Sequence, residues 1–114
     1  MPRPMQEAIR MRQITRDAAN AFNNNRNFKR SNTEIKVVDN HYGADPDEIQ
    51  IELRLHGNLI AWKNNAGMFI STCGWHSVTT KERLNGLYGV NIYQENFIWY
   101  LNGEAWNGEP IKIN

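Results

Sequence analysis

The chain has 114 residues, 40% of them apolar, with four Trp, a formal net charge of +1 and a mean hydropathy of −0.67, which suits one domain with a core that needs no staples. A lone cysteine, Cys73, excludes an intramolecular disulfide, no apolar run nears the ~18 residues of a membrane helix, and the start lacks the apolar stretch of a secretory signal, so a cytoplasmic protein is expected. Charge is uneven: residues 1–30 carry seven Lys/Arg against Glu7 and Asp17, a net +5, while the remainder carries six against ten acidic residues, a net −4.

Pro2 and Pro4 keep the first residues extended, and a helix is expected from about Met5. Ala8, Met11, Ile14, Ala18, Ala21 and Phe22 follow steps of three and four, an amphipathic stripe of roughly four turns. The helix should fray in Asn23 to Asn27, because Asn side chains compete for backbone hydrogen bonds. Phe28 then pins the connection to the core, and Lys29, Arg30, Ser31 and Asn32 read as a basic loop.

Strands are predicted next. Glu34 to Val38 is rich in β-branched residues. After a polar, turn-rich stretch from Asp39 to Glu48, Ile49, Ile51, Leu53 and Leu55 alternate with Gln50, Glu52 and Arg54, a strand with one buried face. Gly57-Asn58 signals a hairpin back through Leu59 to Lys63. Asn64 to Gly67 turns again, and Met68 to Thr72 forms another strand. The segment Ser71–Leu87 ends that strand, makes a Gly-Trp turn and starts a short helix. Thr79 and Glu82 have capping-box spacing, Leu84 and Leu87 share a face, and Gly86 or Gly89 should stop it in a left-handed conformation. Val90 and Ile92 belong to a strand that turns at Glu95-Asn96 into Phe97 to Leu101. Asn102-Gly103 is the strongest turn dipeptide, with Ala105 and Trp106 beyond it and an edge strand at Ile111 and Ile113.

The sum is an α+β fold: a long N-terminal helix packed on a twisted, mostly antiparallel sheet, with one short helix inserted between strands. Residues 1–32 form the basic helix and its loop, residues 33–114 the sheet body with a short helix at 80–87, in one structural domain overall.

Chemistry is sparse. Cys73, His76, His56 and His41 do not reach the paired spacing of a zinc site, so no metal is expected. Cys73 before Gly-Trp-His matches no local signature of a catalytic cysteine. No phosphate-binding glycine loop, Ser elbow or carboxylate cluster is present, and neither cofactor nor enzymatic activity is expected. A small enzyme using Cys73 or a histidine pair is the weakest alternative. The binding candidates are the cations Arg10, Arg12, Arg16, Arg26, Lys29 and Arg30, suited to a phosphate backbone, and Trp75, His76, Lys81 and Arg83 around the Gly-Trp turn. Trp can stack on unpaired bases, and Trp and Arg dominate interface hot spots. Against direct nucleic-acid binding stands a pI of about 7.9, short of a dedicated binder.

The stretch Gly74 to Asn85, G-W-H-S-V-T-T-K-E-R-L-N, resembles a motif of small proteins from bacteriophages and other mobile elements. Gly57 to Ala61 and Tyr100 to Gly103 fit the same pattern, which covers about the last two thirds of the chain and leaves out the basic helix. The resemblance implies a phage or mobile-element origin and no assigned chemistry. It also implies a host-takeover or anti-defence role, including anti-CRISPR-type inhibition, exercised by binding. The expected function is therefore a non-enzymatic, stoichiometric inhibitor of a host nucleic acid-handling or defence complex. Its expected partner is a host protein or nucleoprotein complex. Direct nucleic-acid binding by the basic helix is the alternative, and a homodimer is left open.

Overall fold

The computed structural model describes residues 12–39 and 49–114. Helix α1 (Gln13–Asn23) leads into β1 (Phe28–Arg30), β2 (Thr33–Asp39), β3 (Ile49–Leu55), β4 (Asn58–Asn64) and β5 (Gly67–Ile70). Helix α2 (Val78–Asn85) precedes β6 (Ile92–Glu95), β7 (Ile98–Leu101), β8 (Glu104–Ala105) and β9 (Ile111–Lys112). One antiparallel sheet has the order β1-β2-β3-β4-β5-β9, and a second, also antiparallel, has β6-β7-β8.

The expected α+β fold with a long helix is thereby corrected. Among the described residues the protein is mostly β, with nine strands in two sheets and two short helices. Helix α1 has 11 residues, because Arg12 is extended at its N-cap; the expected start at Met5, with Ala8 and Met11, lies outside the described residues. Its other end is sharper than a frayed Asn run. Asn25 is left-handed at φ +53°, and the Arg26 and Asn25 amides donate to the Ala21 and Phe22 carbonyls. That bond pair is the Schellman closure, for which Asn substitutes for Gly. The chain leaves the helix at a set angle, so Phe28–Arg30 pairs with Thr33–Ile35 as an edge strand where a loop was expected.

Register explains the core. Ile35, Leu53, Ala61 and Ile70 face one another across four strands, and all are buried. The β3–β4 pairing steps from Leu53–Ala61 to Arg54–Leu59, so Ile60 is an extra residue in β4. A bulge of this kind breaks strict alternation, and both Ile60 and Ala61 are buried. Ala18, Ala21 and Phe22 of α1 join this cluster, as do Leu84, Leu87, Val90, Ile92, Trp99, Leu101 and Trp106. Burying one ring such as Phe22 contributes roughly 1.5–3 kcal/mol.

Lys63, on β4, places its ammonium 5.0 Å from the Phe22 ring centroid, and burial lowers its pKa from the ordinary value of 10.5. A lowered value on a base means that the folded state disfavours the charge. The penalty is present below the folded-state pKa and is relieved as pH rises from there past 10.5. Stability should therefore climb through that alkaline window, and Lys63→Met should flatten the climb in urea titrations run at several pH values.

Helix α2 is capped differently from the expected box. Ser77, not Thr79, is the N-cap, and its Oγ accepts from the Thr80 amide at 3.1 Å. Glu82 is directed elsewhere, to Arg83 and Thr15. Gly86 closes the helix in a right-handed conformation, and Gly89 is the left-handed residue, at φ +84°. Ser77→Ala should cost about 1 kcal/mol, with Thr79→Ala nearly neutral in the same denaturation series; the reverse order would restore the Thr79 cap.

Candidate functional site

The site grows from the turn that ends β5. Trp75 donates its amide to the Thr72 carbonyl at 2.9 Å, closing a turn over Cys73 (φ +56°) and Gly74 (φ +84°). Two successive positive φ values make this a type I′ turn. The strand before it is tied down, since the Thr72 amide and both the Ser71 and Thr72 hydroxyls donate to the Gly108 carbonyl. Gly108 is left-handed, and a Cβ there would collide with Thr72 Oγ1 and the His76 ring. Trp75 is thus held out on a rigid turn, 62% exposed.

On one side of Trp75 a pocket of about 370 Å³ opens between Leu55, His56, Asn58, Ile60, Thr72 and the start of α2. A second, more open groove of about 720 Å³ is lined by His76, Gln94, Phe97, Ile98, Trp99, Ala105, Trp106 and Asn107. His76 Nε2 donates to the Asn107 carbonyl at 2.9 Å, and its ring meets Trp99 edge-on at 4.8 Å. Lys81 Nζ sits 5.9 Å from the Trp99 ring centroid. The attractive geometry of a cation beside an indole face gives Lys81 and His76 a shared role in orienting Trp99.

Phe97 is the residue that sequence reasoning missed. Glu95 and Ile98 pair, so Asn96 and Phe97 form the two-residue hairpin between β6 and β7, at φ +52° and +68°. Such a turn favours Asn-Gly, and the next hairpin uses Asn102-Gly103 in that way. A bulky side chain at positive φ is an outlier that costs of order 1 kcal/mol or more. Phe97 is also 95% exposed, so no burial offsets that cost. Ile98, the strand residue after the tip, is exposed beside it and lines the same groove. The signal in the sequence is Asn96, which occupies the first turn position, so the turn falls one residue later than the expected Glu95-Asn96.

The other predicted residues separate. Arg10 lies outside the described residues, as does His41. Arg12, Arg16, Arg26, Lys29 and Arg30 are exposed. Arg12 lies 3.8 Å from Glu82, while Arg26 and Lys29 follow the far end of α1, about 16 Å away by helix rise. Arg30 bonds Asp17 at 2.7 Å and covers the Phe28 ring; hydrogen bonds from Gln13 and then Arg30 hold the Asp17 carboxyl below its ordinary range. Arg83 is not a surface contact at all. It is 3% exposed and donates to Thr33, Thr15 and Glu82. Cys73 is exposed in its turn, and the ring contacts of His76 go to Asn107 and Trp99. Among the described residues no group of three His, Cys, Asp or Glu gathers as a metal site, and no helix is long and apolar enough to cross a membrane.

These features define a small, mostly antiparallel β protein with an aromatic hairpin tip and a tryptophan turn flanking two depressions. The family model of the Kyanoviridae Gp96 protein matches residues 11–113, and the chain belongs to that family of phage proteins. The match begins ahead of α1, so the family pattern covers the N-terminal helix that the sequence resemblance had left out. No curated protein and no solved structure matches.

Proposed function

We propose that this phage protein acts by binding, as a stoichiometric inhibitor of a host nucleic acid-handling or defence complex of the kind anti-CRISPR proteins target. The observation that carries the reading is Phe97, an aromatic ring exposed at the tip of a hairpin where glycine would be cheaper. Strained residues of this kind cluster at ligand clamps and binding sites, and exposed aromatics anchor interfaces. Ile98 enlarges the apolar surface, and His76 and Lys81, packed against Trp99 of the same groove, stand at its margin. Glu95, paired with Ile98 beside the tip, is exposed and belongs to residues 31–114, which carry the −4 charge. An apolar ring beside a carboxylate, on the acidic part of the chain, suits a host surface with an apolar cleft in a basic rim, as a nucleic acid-binding groove has. Arg26 and Lys29 offer a second contact toward the nucleic acid of such a complex.

The test is capture from host lysate by immobilised wild-type protein and by Phe97→Gly, followed by titration with the purified target. A basic, nucleic acid-binding host protein should be retained by the wild type, released by competing DNA, and lost with Phe97→Gly. Equal retention by both proteins would falsify the assignment of the tip. DNA binding that is steeply salt-dependent and identical in both proteins would move the function to direct phosphate contact by the basic segment.

A further inference from the structure

We infer that the 370 Å³ pocket beside Trp75 is a binding site for a nucleobase-type ring, separate from the Phe97 tip. Its volume falls within the range of small-ligand sites, and its mix of apolar wall and few polar groups is typical of them. Leu55 and Ile60, both buried, form the floor, with Ile60 brought there by the bulge in β4. One wall is Trp75, an exposed side chain carried at the end of the type I′ turn. The opposite rim is the β3–β4 hairpin, a second turn with positive φ at His56 and Gly57.

The polar groups decide the class of ligand. Among the described residues no Lys, Arg, Asp or Glu lines the pocket, whose one titratable group is His56 on the hairpin rim, 3.5 Å from the Asn32 amide, so a neutral ligand is favoured inside it. Asn58 pairs with Leu55 across the hairpin and shares its side of the sheet. Its side-chain amide has no hydrogen-bond partner among the described residues, nor does the Thr79 hydroxyl. A carboxamide presents a donor and an acceptor side by side, the arrangement that Asn uses on the edge of a base. A flat aromatic wall beside such an amide is how proteins hold splayed-out bases, by stacking and edge bonding. With no Lys or Arg in the pocket, recognition is of the ring and not of the phosphate.

The ring has two sources, a free nucleoside or an unpaired base of a strand. The experiment is an amide NMR titration of the whole protein with each of the common nucleosides, their monophosphates and a short single-stranded oligonucleotide. Wild type, Trp75→Ala and Asn58→Ala are compared, each checked for a native spectrum. The inference predicts saturable shifts at Asn58, Thr79 and Thr80 with at least one nucleoside, and equal affinity for its monophosphate. It also predicts affinity reduced about tenfold or more in Trp75→Ala and clearly in Asn58→Ala. An oligonucleotide bound far more tightly at the same resonances identifies the strand as the source, and one bound no better identifies the free nucleoside. No nucleoside shift at millimolar concentration overturns the inference. So does equal binding of indole and nucleosides that ignores Asn58→Ala, which makes the pocket a cleft for an aromatic side chain. Phe97→Gly leaves all these shifts unchanged, so this result stands or falls apart from the docking proposal.

Discussion

Replacing Arg83 with Ala is expected to destabilise the protein by about 3 kcal/mol, the lower end for removing one partner of a buried ionic cluster. The guanidinium donates from Nε to Thr33 Oγ1 at 2.9 Å and from Nη1 to Thr15 Oγ1 at 2.8 Å, and it pairs with Glu82. Three elements meet there: α1 through Thr15, β2 through Thr33 and α2 through Arg83 itself. Ala leaves two buried hydroxyl oxygens without their donor and opens a void the length of the Arg stem. Glu82 softens the loss, since its side chain is partly exposed and retains Arg12 at 3.8 Å. Arg83→Lys should recover only part, because one ammonium cannot reproduce a fork that reaches two hydroxyls. The triple variant Arg83→Met, Thr15→Val, Thr33→Val should recover most of it, as apolar replacement of a whole buried cluster often does. Urea denaturation measures all three, and a loss below about 1 kcal/mol for Arg83→Ala would show that the cluster does not clamp the helices.

Phe97→Gly is expected to move stability and binding in opposite directions. In the folded protein the substitution relieves a left-handed φ of +68° on a bulky residue, and it removes no buried contact, since the ring is 95% exposed. Relief of that strain is worth of order 1 kcal/mol, and the greater freedom of Gly in the unfolded chain takes back part of it. The net gain should be about 0.5 kcal/mol, a small upward shift in Tm. Affinity for the target should meanwhile fall by about thirtyfold or more, the usual consequence of truncating an interface anchor. Reduced stability with unaltered binding would make Phe97 a structural residue and remove the basis of the docking face.

The Trp75 turn was legible in the sequence, because Gly74-Trp75 follows an apolar strand and precedes a cap-like Ser/Thr run. The Phe97 tip was not, because Asn96-Phe97 carries no glycine and reads as the start of an aromatic strand. Pocket formation was also out of reach: Leu55, Asn58 and Trp75 belong to different segments, and only folding places them around one space.

Local physics settled what the sequence alone determines here. Period-two alternation set Ile51, Leu53 and Leu55 on the core face of β3, although Glu52 on the other face is buried as well, and Asn102-Gly103 set the last hairpin, because strand pleat and turn dihedrals depend on a few adjacent residues. The lone cysteine likewise settled the absence of an intramolecular disulfide. Tertiary structure decided the rest. Helix α1 ends in a Schellman closure instead of fraying, because Asn25 accepts a left-handed φ there. Ser77 caps α2, since Glu82, the partner expected for Thr79, is engaged by Arg83 and Thr15. Arg83 is buried although its sequence neighbours are polar, because Thr15 and Thr33, distant along the chain, supply the acceptors that make burial tolerable. Partners of that kind are brought together by packing, and no window of sequence contains them.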